Sequence, residues 1–395
     1  LHKRSIVGFA IALALASSIA FGWSSASAED PYEINVILPM TGGGAFLGKQ
    51  DGATLAIIET RVNKTGGIKG RPIKFHIYDD QSSPQVAVEL TNQIKAKKVP
   101  VILGTQLVGG CNAMEPLVKD GPVVYCYSPS IYPEAGSYMF SGNIASRDMV
   151  AVTVRYFRER GWNKVGVLNP TDATGQDADR SIDAAFADPA NHEMRIVARE
   201  HFNLTDLSVA AQMSRIKAAG VQAIIVWVTG TQLSTALHGA TDAGLSNVPM
   251  MTSTGNLLYA QLGSLAPVMV DNLLFPATPG DAPDALPAGK LRTTVMEYQD
   301  AVKAAGLRPD QGATLAWDPT WLVIDALRKY GTTATPVQIR DYIAAIHGYP
   351  GVNGIYDFKA SPQRGLTASS VIMVRWLKDN GTWTSVSQPG GALLK

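Results

Sequence analysis

INVILPMTGGGAFLGKQDGATLAIIETRVNKTGGIKGRPIKFHIY, residues 34–78, holds one complete strand–helix–strand unit. Residues 34–38 are almost continuously apolar, as a strand buried on both faces requires. Gly42, Gly43 and Gly44 turn the chain, and 50–63 carries helical spacing through Leu55, Ile58 and Val62. Gly66 and Gly67 end that helix, because a left-handed residue there satisfies the last carbonyls. Residues 73–78 return to strand character. Two strands joined by such a helix pair in parallel.

The same rhythm extends outward from this unit. Helix 84–97 opens on Pro84, whose missing N–H costs nothing at a helix start; strand 99–104, a short helix 112–119 and strand 123–128 follow. The series restarts after Asn143 with helix 147–160, strand 164–168 and helix 176–187. Strands 194–200, 221–228 and 248–252 come next, separated by helices 207–219 and 233–243. A Pro-, Gly- and Asp-rich stretch at 276–287 breaks the pattern before helices 290–305 and 313–330 and a late strand at 371–377. The expected fold class is α/β, with two doubly wound parallel-sheet lobes joined by a multi-strand hinge. Helices that follow a completed second sheet have to pack on the first, so the chain crosses between lobes more than once. The expected division is 29–146 plus 277–356 for lobe 1 and 147–276 plus 357–395 for lobe 2.

Residues 1–28 read as an export signal peptide. His2, Lys3 and Arg4 precede an apolar core at 6–21, and Ala26-Ser27-Ala28 supplies the small residues of a cleavage site after Ala28. The competing reading is an N-terminal membrane anchor, for which the core is short. Cleavage implies a periplasmic protein, and no cysteine near the site offers a lipid attachment point. Cys111 and Cys126 are the two cysteines of the chain. In an oxidising compartment they are a candidate disulfide, the alternative being two separate buried thiols. One begins a helix just past a strand end and the other ends the adjacent strand, which favours the bridge. Apolar residues make up 46% of the chain, charged residues 17%, and the formal net charge is +1. That balance suits a folded domain and gives no footprint for nucleic acid. Walker, Gly-x-Ser-x-Gly and His-Glu-x-x-His motifs are absent, and the six histidines lack metal-ligand spacing. No catalytic residue, cofactor or metal is therefore assigned.

Specific residues resemble a known family. Residues 63–73 (NKTGGIKGRPI) and the segment 79–84 (DDQSSP) look like the N-terminal hallmark of leucine/isoleucine/valine-type periplasmic binding proteins, which serve ABC importers. Leu38-Pro39-Met40-Thr41-Gly42, Gly48, Gly104, Ser128-Pro129 and Ala218-Ala219-Gly220 fall where that family has them, in order. The resemblance implies a small-molecule ligand held between two lobes, and a permease and ATPase on separate chains. It also implies a monomer.

In that family, hydroxyl residues bind the ligand carboxylate; the matching positions here are Val108 and Tyr132. The family's acidic residue, which pairs with an amino acid's ammonium, falls at Thr252, and a tyrosine of the second lobe falls at Thr174. The chain thus departs from the family where an α-amino acid is read. A buried ammonium without a countercharge costs several kcal/mol, so a small aromatic or apolar carboxylate is the expected ligand. Phe46, Leu47, Leu107, Val108, Ile131 and Tyr132 are expected to line the first lobe. The backbone N–H groups of Val108 to Gly110 (Gly109 among them), the Ser128 or Ser130 hydroxyl and Arg147 are candidates for the carboxylate, and Gln106, with Thr174, Thr229 and Thr252 on the second lobe, are further ligand contacts. The structural alternatives are packing of Phe46 and Tyr132 under loops and pairing of Arg147 with Asp148. Branched-chain amino-acid uptake, a sensor subunit for a membrane receptor and a secreted hydrolase are the competing functions.

Overall fold

The computed structural model describes residues 30–394; the signal peptide assigned to 1–28 lies outside them. The first sheet contains β1 (Tyr32–Leu38), β2 (Ile73–Asp79), β3 (Val101–Gly104), β4 (Val123–Cys126) and β5 (Met139–Ser141), all parallel, in the order β2-β1-β3-β4-β5. Its connecting helices are α1 (Ala45–Lys64), α2 (Pro84–Ala96) and α3 (Val108–Met114). Helix α1 starts earlier than the sequence pattern suggests, and Arg61 and Lys64 in its last turn complement the helix dipole. Helix α3 also begins early, at Val108 instead of 112, so it takes in Cys111. The Cys111–Cys126 disulfide joins α3 to the end of β4 across a Cα separation of 6.1 Å.

After α4 (Ser146–Glu159) the second sheet is laid down. It holds β6 (Lys164–Pro170), β7 (Arg195–Phe202), β8 (Ala223–Val226), β9 (Met250–Thr252) and β10 (Leu273–Ala277), with helices α5 (Ala173–Ala187), α6 (Ala210–Ala218), α7 (Gln232–Asp242) and α8 (Tyr259–Ser264) between them. The chain then forms α9 (Lys290–Ala304), α10 (Gln311–Tyr330) and α11 (Pro336–Ala344). A small hairpin of β11 (His347–Pro350) and β12 (Ile355–Asp357) follows, before β13 (Ile372–Leu377) and β14 (Thr382–Ser385) rejoin the second sheet. That sheet runs β14-β13-β10-β9-β8-β6-β7, and β13 and β14 are antiparallel at its edge. The second sheet is therefore mixed, a detail that the βαβ rhythm upstream of residue 276 does not reveal.

Helix α10 packs on α1 and β3 of the first sheet although it follows the second in sequence. The chain accordingly passes between the sheets at 142–145, 278–289 and again after β12. Buried carboxyls cluster near these passages. Asp318, within α10, accepts from the backbone N–H groups of Val352 and Asn353, both at 2.8 Å, and from the Tyr356 hydroxyl at 3.1 Å. Burial pushes Asp281 and Asp310 up to about 7 and Asp318 up to about 6.

These shifts make stability fall as pH rises. In the unfolded chain such groups titrate near ~3.9. A folded value above the unfolded one means that the native state holds the proton more tightly. The associated stability is full below about pH 4 and is lost as pH climbs towards about 7. The thermal midpoint is expected to drop between about pH 5 and about pH 8. Asp281→Asn is expected to flatten that slope, because Asp281 Oδ2 accepts from Thr278 while Oδ1 has no partner that an amide would offend. A midpoint that climbs over the same range contradicts the assignment.

Candidate functional site

Loops leaving the C-terminal ends of strands in both sheets face one another across a cleft, the place where open α/β sheets bind ligands. Its outer part has a volume of about 320 Å³. Gly43, Gly44, Asp80, Ser82 to Pro84 and Leu107 to Gly110 line it from the first sheet's side, and Pro170, Asp172 to Thr174, Leu204, Thr229 and Gln232 from the second. A narrower inner slot of about 30 Å³ continues between Leu47, Gln106, Leu107, Val108, Ser128, Pro129, Ser130 and Leu315 on one side and Thr174, Trp227, Thr229, Ser253, Thr254 and Gly255 on the other. About one water fills such a volume, so a larger guest enters the slot only when the lobes part. They touch at the mouth: a Cβ built on Gly230 would lie 2.2 Å from the Gly43 carbonyl oxygen.

The slot is walled by apolar groups and by polar but uncharged ones. Among the described residues no charged side chain lines it. The two carboxylates of the outer cleft are already engaged. Asp80, 2% exposed, accepts from Thr105 Oγ1 and, at 2.8 Å, from the Ser82 N–H; burial raises its pKa. Asp172 caps α5 by accepting from the Gly175 N–H at 3.0 Å. Trp227, whose backbone N–H donates to Asn169 Oδ1 at 3.2 Å, gives the slot an aromatic wall, and Leu47 packs with Leu258 and Leu315 beside it.

The structure brings Leu47, Gln106, Leu107, Val108, Ser128, Ser130, Thr174 and Thr229 together on the slot, and places Gly109 on the outer cleft. It puts the remaining candidates elsewhere. Phe46 is 39% exposed and Ile131 is buried with Cys126 and Met139 in the first lobe's core. Tyr132 turns its hydroxyl to Ser146 Oγ at 3.0 Å and accepts from the Arg147 N–H at 3.3 Å. The Arg147 guanidinium lies 4.9 Å over that ring and 3.9 Å from Asp148, in the pairing that needs no ligand. Thr252 is the last residue of β9; it is wholly buried and accepts from Asn256 Nδ2 at 3.0 Å.

Trp227, Ser253, Thr254, Gly255 and Leu315 escape the sequence reading. Strand β8 ends at Val226, two residues short of the apolar run, so Trp227 reads as strand core when it begins a loop. Arg364 was also silent. It is 5% exposed, donates to the carbonyls of Asn143 (3.1 Å) and Ile131, and thereby ties the third passage to the first. Loss of water lowers its pKa to about 10, which keeps it charged at neutral pH.

Comparison with known proteins agrees with this geometry. The family model described as periplasmic binding protein matches residues 31–382. The leucine-, isoleucine-, valine-, threonine- and alanine-binding protein of Pseudomonas aeruginosa is 25% identical over 235 residues, which are 58% of this chain and 62% of that protein. The chain thus spans about three fifths of that curated relative in the match. An extracellular ligand-binding receptor from Rhodopseudomonas palustris HaA2 superposes with a TM-score of 0.79 at 20% identity, covering 90% of this chain and 99% of that one. A solute-binding protein of an ABC transporter from R. palustris, solved with benzoate, gives 0.75 at 18% identity over 92% and 97%. At these identities the structural likeness concerns the fold. The relatives are binding proteins, not enzymes. With the matched model covering both sheets and the cleft between them, this chain belongs to the periplasmic binding protein family, in its type I, two-lobed form.

Proposed function

We propose that the protein is the periplasmic solute-binding subunit of an ABC uptake system, exported by cleavage after Ala28, and that it closes as a monomer on a small aromatic or apolar carboxylate. The lobes of this reading are 29–146 with 277–356 and 147–276 with 357–395, hinged at the three passages. The closed form is then handed to a permease and its ATPase on separate chains.

The observation that carries the ligand class is the uncharged slot. An α-amino acid brings an ammonium, and burying one without a countercharge costs several kcal/mol. A ring or alkyl body meets Trp227, Leu47, Val108 and Leu315, while the Ser128 and Thr174 hydroxyls are placed to donate to a carboxylate. Branched-chain amino-acid binding is the second reading, favoured by the name of the P. aeruginosa relative.

A thermal-shift screen separates the two. A ligand that binds the folded state alone raises the melting temperature by mass action. At least one aromatic or apolar acid is expected to do so, with little effect from leucine. Stabilisation by leucine alone overturns the ligand class and leaves the family assignment standing.

A further inference from the structure

Hydrogen positions in the slot can be deduced from what each polar group already does. Gln106 donates its side-chain NH2 to Asp51 Oδ2. With its nitrogen on Asp51, the amide turns its carbonyl oxygen away from that carboxyl group. Gln106 lines the slot, and among the described residues no group donates to its Oε1. Asp51 is wholly buried and Gln106 is 5% exposed, which leaves the amide little room to rotate.

The opposite wall repeats the pattern. Thr254 gives its hydroxyl hydrogen to Gln311 Oε1 at 2.7 Å, and Gln311 is itself wholly buried. Ser253 donates to the Val228 carbonyl, so Thr229, 3.2 Å from Ser253 Oγ, must be the donor of that pair. Gln106 Oε1 and the hydroxyl oxygens of Thr229 and Thr254 can therefore offer a guest lone pairs but no hydrogen, while Ser253 Oγ already accepts from Thr229 and from Asn256 Nδ2 at 3.5 Å. Ser128 and Thr174 differ: Ser128 Oγ accepts from the Ser130 N–H at 3.3 Å and neither hydroxyl donates to another described residue. One slot thus holds a donor pair and a larger set of acceptors.

We propose that the ligand carries a neutral hydrogen-bond donor, such as a hydroxyl, in addition to its carboxylate, and that Gln106 and Thr254 accept from it. Asp51 and Gln311 are positioning residues: they never reach the guest, yet they fix which way Gln106 and Thr254 present themselves. The proposal rests on the carboxylate reading above and narrows it to hydroxylated acids. The acceptors would otherwise stand buried and unpaired when the lobes close, and such a site rejects the analogue that lacks the donor.

The test is titration calorimetry of the exported chain with benzoate, the three monohydroxybenzoates and leucine. At least one hydroxybenzoate is expected to bind about tenfold or more tightly than benzoate. Gln106→Leu and Thr254→Val are expected to shrink that ratio towards one. Asp51→Asn, which lets the Gln106 amide turn over, is expected to shrink it several-fold, a change of preference that loss of stability alone does not produce. Should Gln106→Leu fail to fold, the other two variants carry the test. If benzoate binds as tightly as every hydroxylated analogue, the donor proposal falls and the carboxylate reading stands. If leucine binds and all four aromatic acids fail, or if none of the five binds, the carboxylate reading falls and takes the proposal with it.

Discussion

Gly230→Val is expected to weaken ligand binding about 100-fold while both lobes stay folded. Gly230 follows β8 in the second lobe, and Gly43 follows β1 in the first. In the closed arrangement a Cβ at 230 would sit 2.2 Å from the Gly43 carbonyl oxygen and 3.1 Å from its carbon. Those backbone atoms cannot swing aside as a side-chain tip can, so the lobes have to stand apart. An apparent dissociation constant rises in inverse proportion to the fraction of molecules able to close, and a penalty of about 3 kcal/mol on closure gives the stated factor. Gly230 also has φ +76°, where a β-branched residue is strained by roughly 1–2 kcal/mol, so some loss of stability accompanies the wedge. Gly220→Val separates the two effects. Gly220 has φ +69° but nothing within 4 Å of a built Cβ, so it carries the strain without the collision. Titration and thermal melts of the two variants are expected to show similar melting temperatures and very different affinities. Equal affinities would mean that the Gly43–Gly230 contact plays no part in closure.

Removal of the Cys111–Cys126 bridge is the other large expected effect. Closing a 15-residue separation stabilises a chain by about 3 kcal/mol in the loop-entropy account. Both cysteines are wholly buried among Ile37, Met114, Val124 and Met139, so serine replacements also place hydroxyls in an apolar cluster. The double variant Cys111→Ser/Cys126→Ser is expected to melt several degrees lower than the parent, in calorimetry under oxidising conditions. Ligand binding is expected to weaken too, because α3 carries Val108 and Gly109 on the cleft and the bridge anchors that helix to β4. Unchanged melting would show that packing alone holds α3 in place.

Local physics made the first lobe readable. The apolar run of β1, the Gly66-Gly67 stop and the Pro84 start each express a rule that operates within a few residues. Helix α11 carries an equally local signal: Thr335 and Gln338 form a capping box with Pro336 at the first position. The antiparallel β13 and β14 are different. Strand β13 pairs with β10, almost a hundred residues earlier, and β14 reaches the edge only through β13, so no local pattern encodes their place in the sheet.

The cleft was legible by strand ends and blurred by one or two residues at each. Thr229 and Thr174 lie on it because loops after parallel strands converge there. Thr252 misses it because β9 still runs at that position, so its side chain is enclosed and the next two residues take its place. Tyr132, transferred from a family position, finds hydrogen-bond partners in Ser146 and Arg147 that the alignment could not supply. The donor and acceptor sense of Gln106 lay beyond sequence altogether, since Asp51 sits 55 positions away and meets it only in the folded core.

Small-angle X-ray scattering addresses the closing cleft most directly. The chain is measured alone and with a saturating amount of whichever acid raises its melting temperature most. The inner slot has room for about one water in its present form, so guest entry requires an opened state and capture requires its return. The expected result is a smaller radius of gyration with ligand than without, and no contraction in Gly230→Val. Identical scattering at full occupancy of the unaltered protein would contradict a cleft that closes on its guest.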